Sequence, residues 1–323
     1  MPTAPIGLIA NPAAGKDIRR LVARASVFDN AEKRRILQRV VVGALATGAG
    51  EFLYLPDPDA LVAGAATGLP AEARLRPVDV PHTASALDTT RAAAQMRAAG
   101  CAVLVTLGGD GTNRAVARGW PDAPLVAVST GTNNVFPSMV EGTVAGAAAG
   151  LIAGGAVPLK EVAVRSKRVH VAIEGEADDL ALVDAALVEG AFIGARALWE
   201  PERLRLVVLT RAEPAAIGLS ALGGLLEPLD ADEDAGLALT LGSNGAVVRA
   251  PLAPGLYRDV AVAAVERLAL GEPVTVTGPG VIALDGERER VLRPGQRAVL
   301  RVLRDGPWLV DVRRTLLMAV RRH

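Results

Sequence analysis

Cysteine, aromatic residues and net charge are all scarce in this sequence, and each shortage excludes a class of protein. The 323 residues include one cysteine, Cys101, which excludes an internal disulfide and favours a reducing compartment. Aromatic residues make up only 3% of the chain, so alanine, valine and leucine must build the core. The 35 basic residues are balanced by 35 acidic ones, which argues against a nucleic-acid surface that depends on net positive charge.

Long hydrophobic runs are missing as well. No stretch approaches the roughly 20 apolar residues of a membrane span, and the longest weakly polar one, Val144–Pro158, is too short. The segment Met1–Ala10 lacks the basic and apolar regions of a secretory signal. We therefore expect a soluble, cytoplasmic protein with no nucleic-acid or membrane partner.

The length of the chain predicts two domains, because 323 residues exceed the usual size of one core. In residues 1–157, short apolar runs alternate with helical segments, as in a doubly wound α/β nucleotide-binding domain with a parallel sheet. From about residue 158 the runs become short and strand-like. They predict a β-rich, sandwich-like substrate domain over residues 158–305.

Two local patterns belong to this second half. Ser243-Asn244-Gly245 lies between apolar runs and predicts a hairpin turn, since Asn-Gly tolerates positive φ. Apolar residues at helical spacing within Arg313–Arg322 predict a C-terminal helix, and we expect residues 306–323 to pack back on the first domain.

The most informative motif is Gly108-Gly109-Asp110-Gly111-Thr112. It follows the apolar run Cys101–Leu107, a predicted buried strand, and precedes a predicted short helix over Asn113–Gly119. A glycine-rich strand-to-helix turn lets backbone N–H groups approach an anion, and the helix N-terminus adds favourable partial charge. The carboxylate of Asp110 would repel a phosphate that was merely held, but it suits base catalysis or contact with Mg²⁺. The motif therefore predicts phosphoryl transfer.

Two further loops accompany this motif. Asn11-Pro12-Ala13-Ala14-Gly15-Lys16 precedes it, and Gly131-Thr132-Asn133-Asn134 follows the next predicted strand. The three loops together resemble the lipid, sphingoid and NAD kinases, whose first domain carries an NPxxG, GGDGT, GTxN(D/N) pattern. The stretch Ala181–Trp199 resembles, in particular, the ATP–NAD kinase-like acetoin-catabolism protein X branch of that superfamily.

The resemblance implies a nucleotide site and two candidate bases. The residues implied to hold ATP, with Mg²⁺ on its phosphates, are Asn11, Gly15, Lys16, Gly108, Gly109, Gly111, Thr112, Asn113, Thr132, Asn133 and Asn134. NAD kinases use the aspartate of GGDG as proton acceptor, which indicates Asp110. Bacterial lipid kinases use a late DGE motif, which indicates Glu287 in Asp285-Gly286-Glu287, and both alternatives stay open. Asp184 corresponds to the acidic half of an Asn-Glu pair that contacts substrate in NAD kinases.

Two departures from the NAD kinase pattern concern the acceptor. Val183 stands where that pair has its asparagine. The segment Ile217–Gly224 has one hydroxyl, on Ser220, where NAD kinases have a GSTAY-like segment. Because a site that hydrogen-bonds the polar groups of its substrate discriminates strongly, fewer donors favour a different or broader acceptor.

The predicted function is therefore ATP-dependent phosphoryl transfer to a hydroxyl of a small metabolite, with NAD as the leading acceptor and polyphosphate open as a donor. We expect the acceptor in the cleft between the domains and the protein as a homodimer or homotetramer. The alternative is a nucleotide-binding regulatory protein of the same fold without catalysis. A Rossmann-type oxidoreductase is disfavoured, because Thr112-Asn113-Arg114 lacks the third fingerprint glycine.

Overall fold

The structure is a computed structural model, and it describes residues 3–15, 29–131, 133–190, 201–286 and 288–322. The helices are α1 (Asn30–Ala46), α2 (Leu61–Ala65), α3 (Ala86–Ala98), α4 (Asp110–Gly119), α5 (Gly142–Ala153), α6 (Leu159–Val162), α7 (Leu219–Gly224) and α8 (Val312–Arg322). The strands are β1 (Ile6–Ala10), β2 (Glu51–Tyr54), β3 (Arg74–Pro77), β4 (Val103–Gly108), β5 (Pro124–Ser129), β6 (Ala163–Arg165), β7 (Arg168–Ile173), β8 (Asp179–Ala181), β9 (Asp184–Val188), β10 (Leu204–Leu209), β11 (Ala235–Ala253), β12 (Leu256–Ala269), β13 (Val274–Thr277), β14 (Gly280–Leu284), β15 (Arg288–Leu292), β16 (Arg297–Leu303) and β17 (Trp308–Val310).

The first sheet contains seven strands of the described chain, in the order β3-β2-β1-β4-β5-β17-β6. β1 pairs in parallel with both β2 and β4, and β4 pairs in parallel with β5. Every residue of β1, β4 and β5 is buried, which is why these strands are continuous apolar runs in the sequence. The strand order changes direction between β1 and β4, and ligands of open α/β sheets bind at such a point.

Helices cover both faces of this sheet. On one face, α1, α2 and α5 share a core with Leu8, Val105 and Val126. On the other face, α3 and α4 pack with Ile9 and Leu104. The predicted doubly wound α/β domain is therefore confirmed.

A close crossing of α1 and α5 explains the alanine and glycine content of α5. A Cβ atom on Gly146 would lie 1.9 Å from the carbonyl oxygen of Val40 in α1. No side chain fits at that distance, so the two backbones meet directly. The small residues that make this segment look weakly polar in sequence are thus a helix-packing surface.

The second domain consists of two antiparallel sheets. Their strand orders are β12-β11-β10-β9-β14-β15 and β13-β16-β7-β8. Val208 and Ile282 of the first of these sheets share a core with Val171 and Leu300 of the other, so the two sheets pack face to face. This confirms the predicted β-rich, sandwich-like half of the fold.

The chain ends on the first sheet. β17 pairs in parallel with β5 and antiparallel with β6, while Val310 and Met318 pack into the core that contains α1 and α5. Within the described ranges, no helix combines the length and the apolar composition that crossing a membrane requires.

Two local predictions are wrong. Ser243-Asn244-Gly245 forms no hairpin turn, because β11 continues through it; Leu241 and Ala246 both pair with Val262, so the residues between them form a bulge. Pairing with the long strand β12 on both sides outweighs the local turn tendency of Asn-Gly, and the hairpin turn lies between Ala253 and Leu256 instead. α4 begins at Asp110 rather than at Asn113, since the N–H of Asn113 already donates to the carbonyl of Gly109.

Candidate active site

Three loops meet at the carboxyl edge of the first sheet, on either side of the point where the strand order reverses. Asn11 follows β1, Gly109 follows β4, and Gly131 lies two residues beyond β5. These are the three loops that carry the motifs of the sequence. The topology therefore brings together segments that are far apart in the chain.

The glycine-rich turn is the start of α4. Gly109 is the N-cap residue and supplies no side-chain cap, so the N–H groups of the first helical turn have no partner from that side chain. A Cβ atom on Gly109 would lie 2.8 Å from Oδ1 of Asn134, and one on Gly108 would lie 2.5 Å from Oγ1 of Thr112. Gly109 is thus needed for the contact with the loop after β5, and Gly108 for the close approach of Thr112 within the turn. The positive end of the helix dipole stays accessible to an anion.

The loop after β1 is joined directly to this turn. Nδ2 of Asn11 donates to Oγ1 of Thr112 at 2.9 Å, and Oδ1 of Asn11 accepts from the N–H of Ala13 at 2.9 Å. The side chain of Asn11 therefore fixes both the loop and its distance from α4. Gly15 lies at φ +72°, in the left-handed region, and Lys16 lies outside the described residues.

Lys33 binds the backbone of the same loop, and it is not among the site residues predicted from the sequence. Its side chain is fully buried, and Nζ donates to the carbonyl oxygens of Asn11 (3.1 Å), Pro12 (2.9 Å) and Ala14 (2.7 Å). Because a trans peptide directs its C=O and N–H oppositely, the N–H groups of Ala13 and Gly15, which follow two of these carbonyls, face away from Lys33. Lys33 falls on the same face of α1 as Ile36, Leu37 and Val40, so helical periodicity is the signal that could have found it.

Asp110 lies in the first turn of α4 and is bound by the loop after β5. Its Oδ1 accepts from the N–H of Phe136 at 2.8 Å and of Val135 at 3.1 Å, and its Oδ2 lies 3.2 Å from the nitrogen of Val135. Its pKa is raised to about 7, first by burial and then by the charge of Asp285, against the opposing effects of those N–H groups and of Arg211. A carboxyl group with this pKa exchanges its proton near neutral pH, which suits a general base.

The loop Gly131–Asn134 lies against the glycine turn. Nδ2 of Asn134 donates to Oγ of Ser129 at 2.8 Å, while its Oδ1 faces Gly109. Asn133 is partly exposed, and Thr132 lies outside the described residues.

Asn113 differs from the other candidates, because both ends of its buried amide are used within the protein. Oδ1 accepts from Oγ1 of Thr106 at 2.7 Å, and Nδ2 donates to the carbonyl of Gly109 at 2.9 Å. These bonds tie the end of β4 to α4. The side chain of Asn113 therefore stabilises the turn through hydrogen bonds inside the protein.

A cavity of about 290 Å³ opens beside the glycine turn. It is lined by Asn11, Gly111 and Thr112, together with Asp57 after β2 and Ser85 at the start of α3. It therefore adjoins the N-terminus of α4 at the carboxyl ends of β1, β2 and β4. Among the described residues no group of three or more His, Cys, Asp or Glu side chains forms a metal site.

The late Asp285-Gly286 motif belongs to the second domain and lies close to the first domain. Asp285 adopts φ +49°, and its buried carboxylate accepts from the N–H groups of Leu182, Val183 and Asp184 at 2.8–3.2 Å. Burial raises its pKa, while Arg114 and the three N–H groups oppose that effect. Asp285 thus fixes the segment that carries Asp184, which is partly buried at the start of β9; Glu287 lies outside the described residues.

Buried charges also cross the domain boundary next to this segment. The fully buried carboxylate of Asp179 lies 3.5 Å from Nη1 of Arg114, 3.5 Å from Nη1 of Arg118 and 3.0 Å from Nη1 of Arg290. Arg114 and Arg118 belong to α4, whereas Asp179 and Arg290 belong to the second domain. These ion pairs and the apolar contacts of Leu180, Leu182 and Val183 join α4 to that domain.

Comparison with known proteins identifies the family. The ATP-NAD kinase N-terminal domain family matches residues 6–156, and the Acetoin catabolism protein X C-terminal domain family matches residues 167–305. Acetoin catabolism protein X of Cupriavidus necator is 39% identical over 336 aligned positions, which cover 98% of this chain and 93% of that protein.

Two solved structures share the fold. Yeast NADH kinase complexed with NADH has a TM-score of 0.58 at 12% identity, over 98% of this chain and 86% of that chain. A candidate diacylglycerol kinase from Bacillus anthracis has a TM-score of 0.52 at 13% identity, over 96% of this chain and 99% of that chain. The resemblance stated from the three loops is confirmed, and the fold is that of a kinase-type nucleotide-binding protein. By sequence and by fold, the chain belongs to the acetoin catabolism protein X family.

Proposed function

We propose that this protein is an ATP-dependent kinase that transfers a phosphoryl group to a hydroxyl of a small metabolite. The observation that supports this most is the position of Asp110. Its carboxyl group lies in the first turn of a helix whose N-terminus borders a cavity, and its pKa of about 7 is matched to proton transfer. An anion-binding helix end and a base side by side are the two parts that phosphoryl transfer to an alcohol requires.

The nucleotide donor is proposed to bind at the three loops. In this proposal the backbone of Gly108, Gly109, Gly111 and Thr112 holds its phosphates, and Asn11, Gly15 and Lys16 form one wall. Thr132, Asn133 and Asn134 form the opposite wall. Asn113 is proposed to act indirectly, because Oδ1 and Nδ2 of its amide are both hydrogen-bonded within the protein.

Magnesium enters the proposal through the nucleotide. The described residues supply no cluster of acidic or imidazole ligands for a metal of their own. Mg²⁺ is commonly held by substrate phosphates, water and one or two carboxylates, and it would neutralise charge on the phosphate oxygens.

Asp110 is the proposed base, with Glu287 as the alternative that the DGE motif supplies. The two backbone N–H groups that donate to Asp110 stabilise its ionised form and fix its orientation. Ionised Asp110 would accept the proton of the acceptor hydroxyl as its oxygen bonds to the γ-phosphorus of ATP, while the bond from that phosphorus to the bridging oxygen breaks and ADP leaves. Asp184, held next to Asp285, is the proposed substrate contact.

NAD is the leading acceptor in this proposal, on the strength of the family of the first domain. The experiment that tests the function is incubation of the purified protein with ATP and Mg²⁺ in the presence of NAD and, separately, of a metabolite extract. A new phosphorylated species, detected by mass spectrometry and absent with Asp110→Asn, supports the proposal. Tight binding of ATP with no turnover of any acceptor contradicts it and favours the regulatory alternative.

A further inference from the structure

Arg211 occupies the junction between the domains, directly after β10 and Thr210. Its guanidinium carbon lies 5.6 Å from the ring centre of Phe136, and Nη1 lies 3.4 Å from the carbonyl oxygen of Val135. Val135 and Phe136 are the residues whose N–H groups hold the carboxylate of Asp110. Arg211 therefore lies on the second-domain side of the same loop that orients the proposed base.

The guanidinium of Arg211 is poorly satisfied for a buried charge. Its side chain is 8% exposed, and Nε has no hydrogen-bond partner among the described residues. The ion pair that it makes with Glu213 is 3.7 Å long. A guanidinium has five N–H donors, and burying a donor without an acceptor costs free energy. Native proteins therefore rarely leave buried donors without a hydrogen-bond partner.

Two other arginines of the second domain form shorter ion pairs. Arg290 donates to Asp179 at 3.0 Å and also pairs with Glu176. Arg168 forms a bidentate pair with Asp305, with both hydrogen bonds at 2.7 Å. The ion pair of Arg211 with Glu213 is longer than these, at 3.7 Å. Burial lowers the pKa of Arg211, and the carboxylates of Glu213 and Asp110 oppose that effect.

The polar residue Ser220, in α7, contacts the backbone of Arg211. Ser220, the one hydroxyl of α7, is buried; it donates to the carbonyl of Arg211 at 3.3 Å and accepts from the N–H of Glu213 at 3.2 Å. Its hydroxyl is therefore used to fix the backbone on either side of Ala212. The hydroxyl positions the arginine and does not itself face a ligand.

We propose that Arg211 binds a negatively charged group of the acceptor, a carboxylate or a phosphate, beside Asp110. This rests on the proposed kinase function and narrows its acceptor to a hydroxylated anion. A planar guanidinium fork matches both groups by paired charge-assisted hydrogen bonds. Such a contact would direct the hydroxyl of the acceptor towards the carboxylate of Asp110 while leaving the nucleotide loops unchanged.

The test is calorimetric binding to protein saturated with a non-hydrolysable ATP analogue and Mg²⁺. The probes are glycerate for the carboxylate, glycerol 3-phosphate for the monophosphate and NAD for the pyrophosphate, with glycerol as the uncharged probe. We expect at least one anion to bind the unmodified protein, glycerol not to bind, and Arg211→Gln to weaken the anion at least about tenfold. Arg211→Lys, which keeps the charge and removes the fork, should give an intermediate reduction in affinity.

Arg258→Gln, at an exposed position on β12, is the matched control and should leave anion binding unchanged. Equal binding of the anions to the unmodified protein and to the folded Arg211→Gln variant overturns the proposal, as does binding of none of the three anions. If Arg211→Gln fails to fold, as judged by circular dichroism, the Arg211→Lys comparison decides. Failure of the ATP analogue to bind contradicts the kinase function instead, and the anion titrations without nucleotide still report on Arg211.

Discussion

Replacing Asp110 with asparagine isolates the chemistry of the site from its architecture. Asparagine has the same shape, and its amide oxygen can occupy the place of Oδ1. That atom accepts from the N–H of Phe136 at 2.8 Å and from the N–H of Val135 at 3.1 Å. The substitution removes the 3.2 Å hydrogen bond from the N–H of Val135 to Oδ2, but Oδ1 already accepts from that N–H. Both backbone donors keep an acceptor, so the loop should keep its position.

The stability of Asp110→Asn follows from the pKa of the carboxyl group. The pKa of Asp110 is raised from 3.8 to about 7 in the folded protein, so the folded state holds this proton more tightly than the unfolded chain. Ionisation of Asp110 therefore destabilises the fold as the pH rises through this window, and the full cost is present above pH 7. An uncharged asparagine escapes that cost. We expect the variant to be at least as stable as the unmodified protein at pH 8.

The catalytic effect should be large. Removal of a positioned general base typically lowers the rate about 10²-fold or more, so kcat should fall by at least that factor while the KM for ATP changes little. The assay is steady-state phosphoryl transfer to the identified acceptor, with thermal melts as a function of pH in parallel. Asp79→Asn, at an exposed position, is the control and should leave kcat unchanged. A folded Asp110→Asn protein that retains full kcat refutes the assignment and leaves Glu287 as the candidate.

Three further predictions concern pH, the loop after β1 and helix packing. The kcat/KM of the unmodified protein should rise with pH through a midpoint near 7 as Asp110 ionises, and Arg211→Gln should move that midpoint upward, because Arg211 lowers the pKa of Asp110; pH profiles of both proteins measure this. Lys33→Met should weaken ATP binding at least about tenfold in calorimetry, because the charged donor that fixes the loop through three carbonyls is removed. Gly146→Ala should lower the free energy of unfolding by about 1–3 kcal/mol in urea titrations, since its Cβ would meet the backbone of Val40.

Each of these has an outcome that contradicts it. A flat pH profile between 6 and 8, or a midpoint that Arg211→Gln leaves in place, is incompatible with titration of Asp110. Unchanged ATP affinity in a folded Lys33→Met protein removes the loop-fixing function of Lys33. For Gly146→Ala, an unfolding midpoint equal to that of the unmodified protein contradicts the prediction, because α1 and α5 would then move apart at no cost in stability. Abolished ATP binding would mean that the crossing also supports the proposed nucleotide site.

The fold was predictable from sequence wherever burial is uniform along an element. The apolar run Cys101–Leu107 predicts a buried strand, and β4 forms there over Val103–Gly108 with every residue buried. The prediction failed where pairing with the next strand outweighs a local turn preference. The Asn-Gly pair at residues 244–245 reads as a turn by local preference, yet β12 pairs with β11 on both sides of it.

The candidate site divides in the same way. The segments proposed to bind an anion are recognisable because glycine, asparagine and threonine recur in them at the spacing of the family's loops. The groups that hold those segments are not, because they are ordinary residues made important by distant partners. Lys33 supports a loop some twenty residues earlier, and Asp285 binds N–H groups about a hundred residues earlier in the chain. Helical periodicity places Lys33 on the buried face of α1, but no local pattern in the sequence identifies the partners of Lys33 or of Asp285.

These distant contacts determine the chemistry of the motif itself. Asp110 belongs to the first domain, but its pKa is raised in part by Asp285 and lowered by Arg211, both of the second domain. α4 is joined to that domain through the ion pairs of Arg114 and Arg118 with Asp179. The proposed base therefore depends on how the two domains meet, and a charged acceptor bound at Arg211 would offset the positive charge that favours the ionised form of Asp110. Binding of the acceptor would then raise the pKa of the base, which increases its affinity for the proton that it must accept.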